Sequence, residues 1–131
     1  LYILNTIKRG PRTIYLVGTR LMANIYRNDK VSLTSTADTV LYTVPSNSRA
    51  IVKSLLVVED NAGAAVVKAT LTNAAGTAFV IDNNISLSAN EKEQVLTEPL
   101  IMLESEILKV QATSGNVDAI ASILEINRED R

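Results

Sequence analysis

From residue 39 onward, short apolar runs alternate with clusters of Pro, Gly, Asn, Asp and Ser about every eight to twelve residues, the spacing of an all-β sandwich or barrel. Residues 39–44 form the first such run and end at Pro45-Ser46-Asn47-Ser48, where Pro fixes φ and Asn and Ser bond back to the local backbone. Residues 49–60 hold Ile51, Val52, Leu55, Leu56, Val57 and Val58. Apolar on both parities, this segment is expected to be a central strand with neither face fully wet. Asn61-Ala62-Gly63 closes it, and in 65–72 the apolar set 65, 67, 69 and 71 alternates with a mostly polar one. Strand side chains alternate between faces, so one face of that segment looks inward.

The remaining runs continue the rhythm. Residues 77–81 and 85–88 are expected as separate strands around a turn at Asp82-Asn83-Asn84. Residues 94–97 and 100–103 follow, with Pro99 placed as at an edge or a strand start. Segments 107–113 and 119–126, joined by Ser114-Gly115-Asn116, finish the pattern.

The first 37 residues read differently. An extended run over 1–7 breaks at Lys8-Arg9-Gly10-Pro11, and a β-prone stretch over 13–17 precedes Gly18. Asn28-Asp29 fits a two-residue hairpin turn, although Leu21 and Ile25 stand at helical spacing. Residues 34–38 are polar and form the expected boundary. The expectation is an N-terminal extended arm or hairpin over 1–37, a jelly-roll-like antiparallel β-sandwich of about eight strands over 38–126, and a solvated tail over 127–131.

Composition narrows the chemistry. The 131 residues include neither Cys nor His. That excludes a thiolate nucleophile, an imidazole base, zinc sites of the usual ligands and a Ser-His-Asp triad. Carboxylates occur at Glu59-Asp60, Glu91 with Glu93, and Glu104 with Glu106. A glycosidase needs such a pair beside a sugar platform, but there is no Trp and one Phe, so they are read as solvated loop acids. Asp60-Asn61-Ala62-Gly63 and Asp82-Asn83-Asn84 lack the ligand spacing of a calcium loop and are read as turns. Five scattered glycines make no phosphate loop. The expectation is a soluble, non-enzymatic protein that needs no metal and no cofactor. The apolar run over 1–7 is too short for a membrane span.

Charge adds one asymmetry. Residues 1–30 hold six basic side chains against Asp29 alone, a formal +5, which leaves −6 on the rest of a chain whose net charge is −1. Three of the four tyrosines, Tyr2, Tyr15 and Tyr26, lie in the same segment. Interleaved cations and aromatics suit an acidic face on a neighbouring subunit, and Arg9, Arg12, Tyr15, Arg20, Tyr26 and Arg27 are the expected partner-binding residues. The same segment could neutralise phosphates while tyrosines stack on bases. A third alternative is an ordinary solvated hairpin whose charges protect an edge strand.

Leu41-Tyr42-Thr43-Val44-Pro45, followed by the run from Arg49 to Val58, resembles small β-sandwich modules of tailed bacteriophage virions. Ile85-Ser86-Leu87-Ser88-Ala89-Asn90-Glu91, Glu98-Pro99-Leu100-Ile101-Met102-Leu103 and Ile107-Leu108-Lys109-Val110-Gln111-Ala112 look like the closing strands of those modules. The resemblance covers residues 38–126. One departure is Glu104-Ser105-Glu106, where such modules often have a Gly-Asp turn. The resemblance implies a virion structural protein, an accessory part of head, neck or tail, that is assembled in the host cytoplasm. Its implied partners are copies of itself and other virion proteins, in a homo-oligomer, rather than nucleic acid or membrane. The alternatives are a nucleic-acid-binding module using the basic arm and a receptor- or glycan-binding tip module.

Overall fold

The computed structural model describes residues 22–114 and 116–128. These form nine strands: β1 (Met22–Leu33), β2 (Thr39–Thr43), β3 (Ser48–Glu59), β4 (Ala65–Thr72), β5 (Ala78–Leu87), β6 (Lys92–Gln94), β7 (Leu100–Met102), β8 (Ile107–Ala112) and β9 (Val117–Arg128). All pairings are antiparallel. One sheet runs β1-β9-β3-β6, with β7 also on β3, and the other runs β2-β8-β4-β5. Both β6 and β7 pair with β3, so together they fill a single strand position. Two interleaved four-position sheets in this order are a jelly roll, and the sandwich expected from the sequence is what the chain forms.

Alternation builds the core. On β3, Ala50, Val52, Leu55 and Val57 are buried, and in the neighbouring β9 so are Val117, Ala119, Ala121 and Ile123. The second sheet contributes Val67, Leu108 and Val110. Between Val52 and Ser54 the β3–β9 register shifts, a β-bulge that resets the parity of inward residues on β3. The outward residues Ile51, Leu56 and Val58 are apolar and half-buried too, so β3 reads as apolar on both parities.

Three expectations are corrected. Asn28-Asp29 makes no hairpin, since β1 runs through both residues in unbroken register with β9, from Met22 opposite Arg128 to Leu33 opposite Val117. Pairing along a whole neighbouring strand outweighs a dipeptide's local turn preference. Residues 22–33 therefore belong to the sandwich and not to a separate arm, and Asn127 and Arg128 end β9 rather than opening the tail. Asp82-Asn83-Asn84 also lies within a strand. There β5 carries extra residues against β4, and the Asp82 carboxylate accepts the Asn84 N–H at 3.1 Å, so the local side-chain bond forms inside a bulged strand.

The expected break before β7 is real. Pro99 has no N–H to give a ladder and immediately precedes Leu100, where pairing with β3 resumes.

Candidate functional site

Three groups of residues stand out: a buried ionic cluster, a loop clamp and an apolar row.

The cluster lies between β1, β9 and β2. Glu125 sits on the inward parity of β9 and is only 4% exposed. A buried carboxylate is costly unless paired and hydrogen-bonded. Tyr42 donates its hydroxyl to Glu125 Oε2 at 2.6 Å, and Arg27 Nη1 lies 3.4 Å from the same oxygen. Arg27 Nη2 pairs with Asp29 at 2.8 Å, and its guanidinium rests 5.3 Å from the centre of the Tyr42 ring. Tyr42 reaches this place because β2 bulges between Val40 and Tyr42, which turns both Leu41 and Tyr42 inward. Burial, the Glu125 hydrogen bond and the negative charge of Glu125 push the Tyr42 phenol well above its ordinary value. The bond to Asp29 raises Arg27 further. The cluster ties the two sheets at one margin. It leaves Tyr42 protonated and poorly suited to act as a base.

The clamp is Glu59, which is 1% exposed at the end of β3 and is no solvated loop acid. Its carboxylate accepts backbone N–H groups from Asn90 at 2.9 Å, Asn61 at 3.1 Å and Gly63 at 3.3 Å, fastening the loop after β3 to the loop before β6. Those bonds, Asn90 first, outweigh burial and lower its pKa. Two other acids cap turns: Glu91 accepts from Ser88 N at 2.6 Å and Glu106 from Leu103 N at 2.8 Å. Asp60 is raised chiefly by the negative charge of Asp118. Among the described residues, no group of three or more Asp or Glu is arranged to hold a metal ion.

The apolar row crosses the outer face of the β1-β9-β3 sheet. Tyr26 pairs with Leu124, Leu124 with Ile51, and Ile51 with Ile101, so one line of side chains traverses β1, β9, β3 and β7. Opposite residues in an antiparallel sheet share a face. Tyr26 is 77% exposed and Ile101 66% exposed, while Leu124 and Ile51 are half-buried between them. Leu103 and Ile120 add exposed apolar surface to either side. A shallow depression lined by Tyr26, Arg27, Asn28, Lys53 and Ser122 borders the row.

Of the six expected partner-binding residues, Arg9, Arg12, Tyr15 and Arg20 lie outside the described residues. Tyr26 stands open on the outer face, whereas Arg27, one position on, turns to the opposite side and is held by Asp29 and Glu125. The remaining row residues were read from the sequence only as strand positions. Their signal was present: Ile51 and Leu124 fall on the parity opposite to the core residues of their own strands. Glu125 carried a signal too, as an acid in the apolar series Ala119, Ala121, Ile123.

No family model matches the chain, and no curated protein is similar to it. Among solved structures, a chain from the acid-stable capsid structure of Helicobacter pylori bacteriophage KHP30 is similar over 86% of this chain and 100% of its own, at 11% identity and a TM-score of 0.49. A chain from the virus-like particle of the giant freshwater prawn (Macrobrachium rosenbergii) extra small virus is similar over 93% of this chain and 88% of its own, at 13% identity and a TM-score of 0.42. A chain of infectious bursal disease virus, Gx strain, matches over 83% of this chain but only 32% of its own, at 11% identity and a TM-score of 0.45. At these values the likeness is distant.

Proposed function

We propose that the chain is a structural subunit of a virus particle that acts by assembly and not by catalysis. The observation that carries this reading is the row Tyr26–Leu124–Ile51–Ile101, an apolar line across the full width of a sheet that faces no other element among the described residues. Exposed apolar surface in a continuous patch marks an interaction face. Jelly rolls serve chiefly as viral shell domains, lectins and cupins. A metal-binding cupin is disfavoured by a chain without His, and a stacking lectin by one without Trp. The assembly reading is the one left, and it agrees with the resemblance of residues 38–126 to virion modules. Within that class, we read the protein as an accessory or connecting part of a bacteriophage particle, a shell decoration or a neck or tail component.

Light scattering behind gel filtration, with negative-stain imaging of the full chain, tests the proposal. A discrete oligomer, ring or closed particle is expected, and Ile101→Asp should dissociate it while leaving the circular dichroism and the unfolding temperature unchanged. A monomer at millimolar concentration, equally monomeric in the variant, would overturn the reading.

A further inference from the structure

Four sheet edges end the two layers, and three of them carry features that prevent strand addition. The β2 edge has five residues and a bulge at Val40/Tyr42. The β5 edge shifts register twice. The edge beside β3 is split into β6 and β7, each three residues long, around Pro99. Short pieces, bulges and proline are the usual protections of an edge. The fourth edge, β1, has none of these three: it is twelve residues long, contains no proline and keeps unbroken register with β9, and its protection of the usual kind is charge alone, at Arg27, Asp29 and Lys30. Among the described residues no strand covers its other side.

The sequence of β1 is also self-complementary. About Asn28, the order Ile25-Tyr26-Arg27-Asn28-Asp29-Lys30-Val31 places opposite chemistry at equal distances. When a second β1 runs antiparallel with Asn28 facing Asn28, Arg27 stands opposite Asp29, Tyr26 opposite Lys30, and Ile25 opposite Val31, twice over by symmetry. Each pair falls on one face of the joined sheet. Arg27 and Asp29 share the inward parity and Tyr26 and Lys30 the outward one, as the β1–β9 register fixes. Opposite charges and aromatic-cation pairs favour such juxtapositions, whereas a slip of one residue would set Arg27 opposite Lys30 or Asn28 and lose both Arg27–Asp29 pairs.

We infer that β1 is a homotypic interface: two copies join edge to edge through antiparallel β1 strands centred on Asn28, making one continuous sheet across a two-fold axis. This interface rests on the assembly reading and gives it a first step. Residue i of one copy contacts residue j of the other and the reverse, as an isologous dimer requires. Backbone bonds along β1 hold the pair, as in β-strand addition, and the Arg27 and Asp29 side chains, already paired within each copy, meet their opposite charges across the axis and set the register. The two copies' apolar rows then lie on the same side of one extended sheet.

The absence of cysteine makes the register directly testable in the full chain. Opposed residues of an antiparallel pair bring their Cβ atoms to about 4.5–5.5 Å, close to what a disulfide spans. Asn28→Cys alone should form a disulfide-linked dimer under mild oxidation. Asn24→Cys and Ser32→Cys should each fail alone and cross-link when mixed, because residue 24 faces residue 32. Equal cross-linking of Asn24→Cys and Asn28→Cys would overturn the register. An oligomer that persists while Asn28→Cys stays unlinked would overturn the β1 interface and leave the assembly reading standing on the apolar row. A monomer in every preparation would overturn both.

Discussion

At the scale of single residues, stability is concentrated in a few buried polar groups whose partners come from distant parts of the chain. Tyr42→Phe keeps the ring under Arg27 but removes the hydroxyl that Glu125 accepts, leaving a buried carboxylate short of a donor. A loss of about 1–3 kcal/mol is expected in urea unfolding at pH 7. The pH dependence identifies the cause. The native phenol holds its proton past the ordinary value of 10.0, so the unfolded chain ionises first as pH rises. The contribution is whole below that value and is lost above it, and the gap between the wild type and Tyr42→Phe should close as pH climbs past 10. Glu59 has the opposite sign. Its native pKa lies below the ordinary 4.5, so its contribution is present above 4.5 and fades as pH falls through the lowered native value. Glu59→Gln should lower the urea midpoint at neutral pH and match the wild type in strong acid. Ser105 supplies a third case, with φ at 70° in the turn before β8. A left-handed conformation costs an L-residue about 1–2 kcal/mol, of which glycine's extra unfolded freedom returns about 0.5–1. Ser105→Gly should therefore stabilise the protein by up to about 1 kcal/mol, seen as a higher unfolding temperature. Glu125 was legible as an anomaly of parity, but its partners were not, because Tyr42 meets it only through a bulge that no local pattern announces.

At the scale of elements, alternation and turn chemistry made most strands legible, and the two misread turns share one cause. Asn28-Asp29 and Asp82-Asn83-Asn84 are turn formers by local preference, yet both lie in strands. Local preference is worth a few tenths of a kcal/mol to about one, and a strand that completes a ladder gains more from cross-strand packing. In β1 the polar dipeptide sits at a sheet edge, where Asn28 faces water at no cost. In β5 the Asp82 side chain satisfies the backbone that the bulge leaves unpaired. The same ladder argument ranks local stability. β9 is flanked by β1 and β3 along its whole length, while β6 and β7 are three-residue pieces at a margin. Hydrogen exchange should therefore find the β9 and β3 amides slowest and those of β6 and β7 among the first to open. If the β6 and β7 amides exchange as slowly as those of β9, the ordering is wrong.

At the scale of the whole molecule, the jelly-roll order makes the ends of the described chain depend on each other. Leu33 meets Val117 and Met22 meets Arg128, so the first and last strands close one sheet only when nearly all the chain is present. A separable arm over 1–37 would predict that a chain beginning at Ser35 folds as a stable monomer. The structure predicts the reverse. Such a chain loses β1, exposes the full edge of β9, removes the buried Leu33 from the core and deprives Glu125 of Arg27. Deleting one buried leucine costs about 2–5 kcal/mol. Total stability of an ordinary domain is only about 5–15 kcal/mol, so losing that residue with a whole ladder should abolish cooperative unfolding. A chain beginning at Met22 keeps every one of these contacts and should unfold in a single transition. Circular dichroism melts of the two truncations decide the point. A sharp transition in the shorter chain would mean that β9 closes the sandwich without β1 and would return residues 22–33 to the status of an arm. Loss of the transition there alone fixes β1 as a structural strand whose outer edge is the surface left to recruit a second copy.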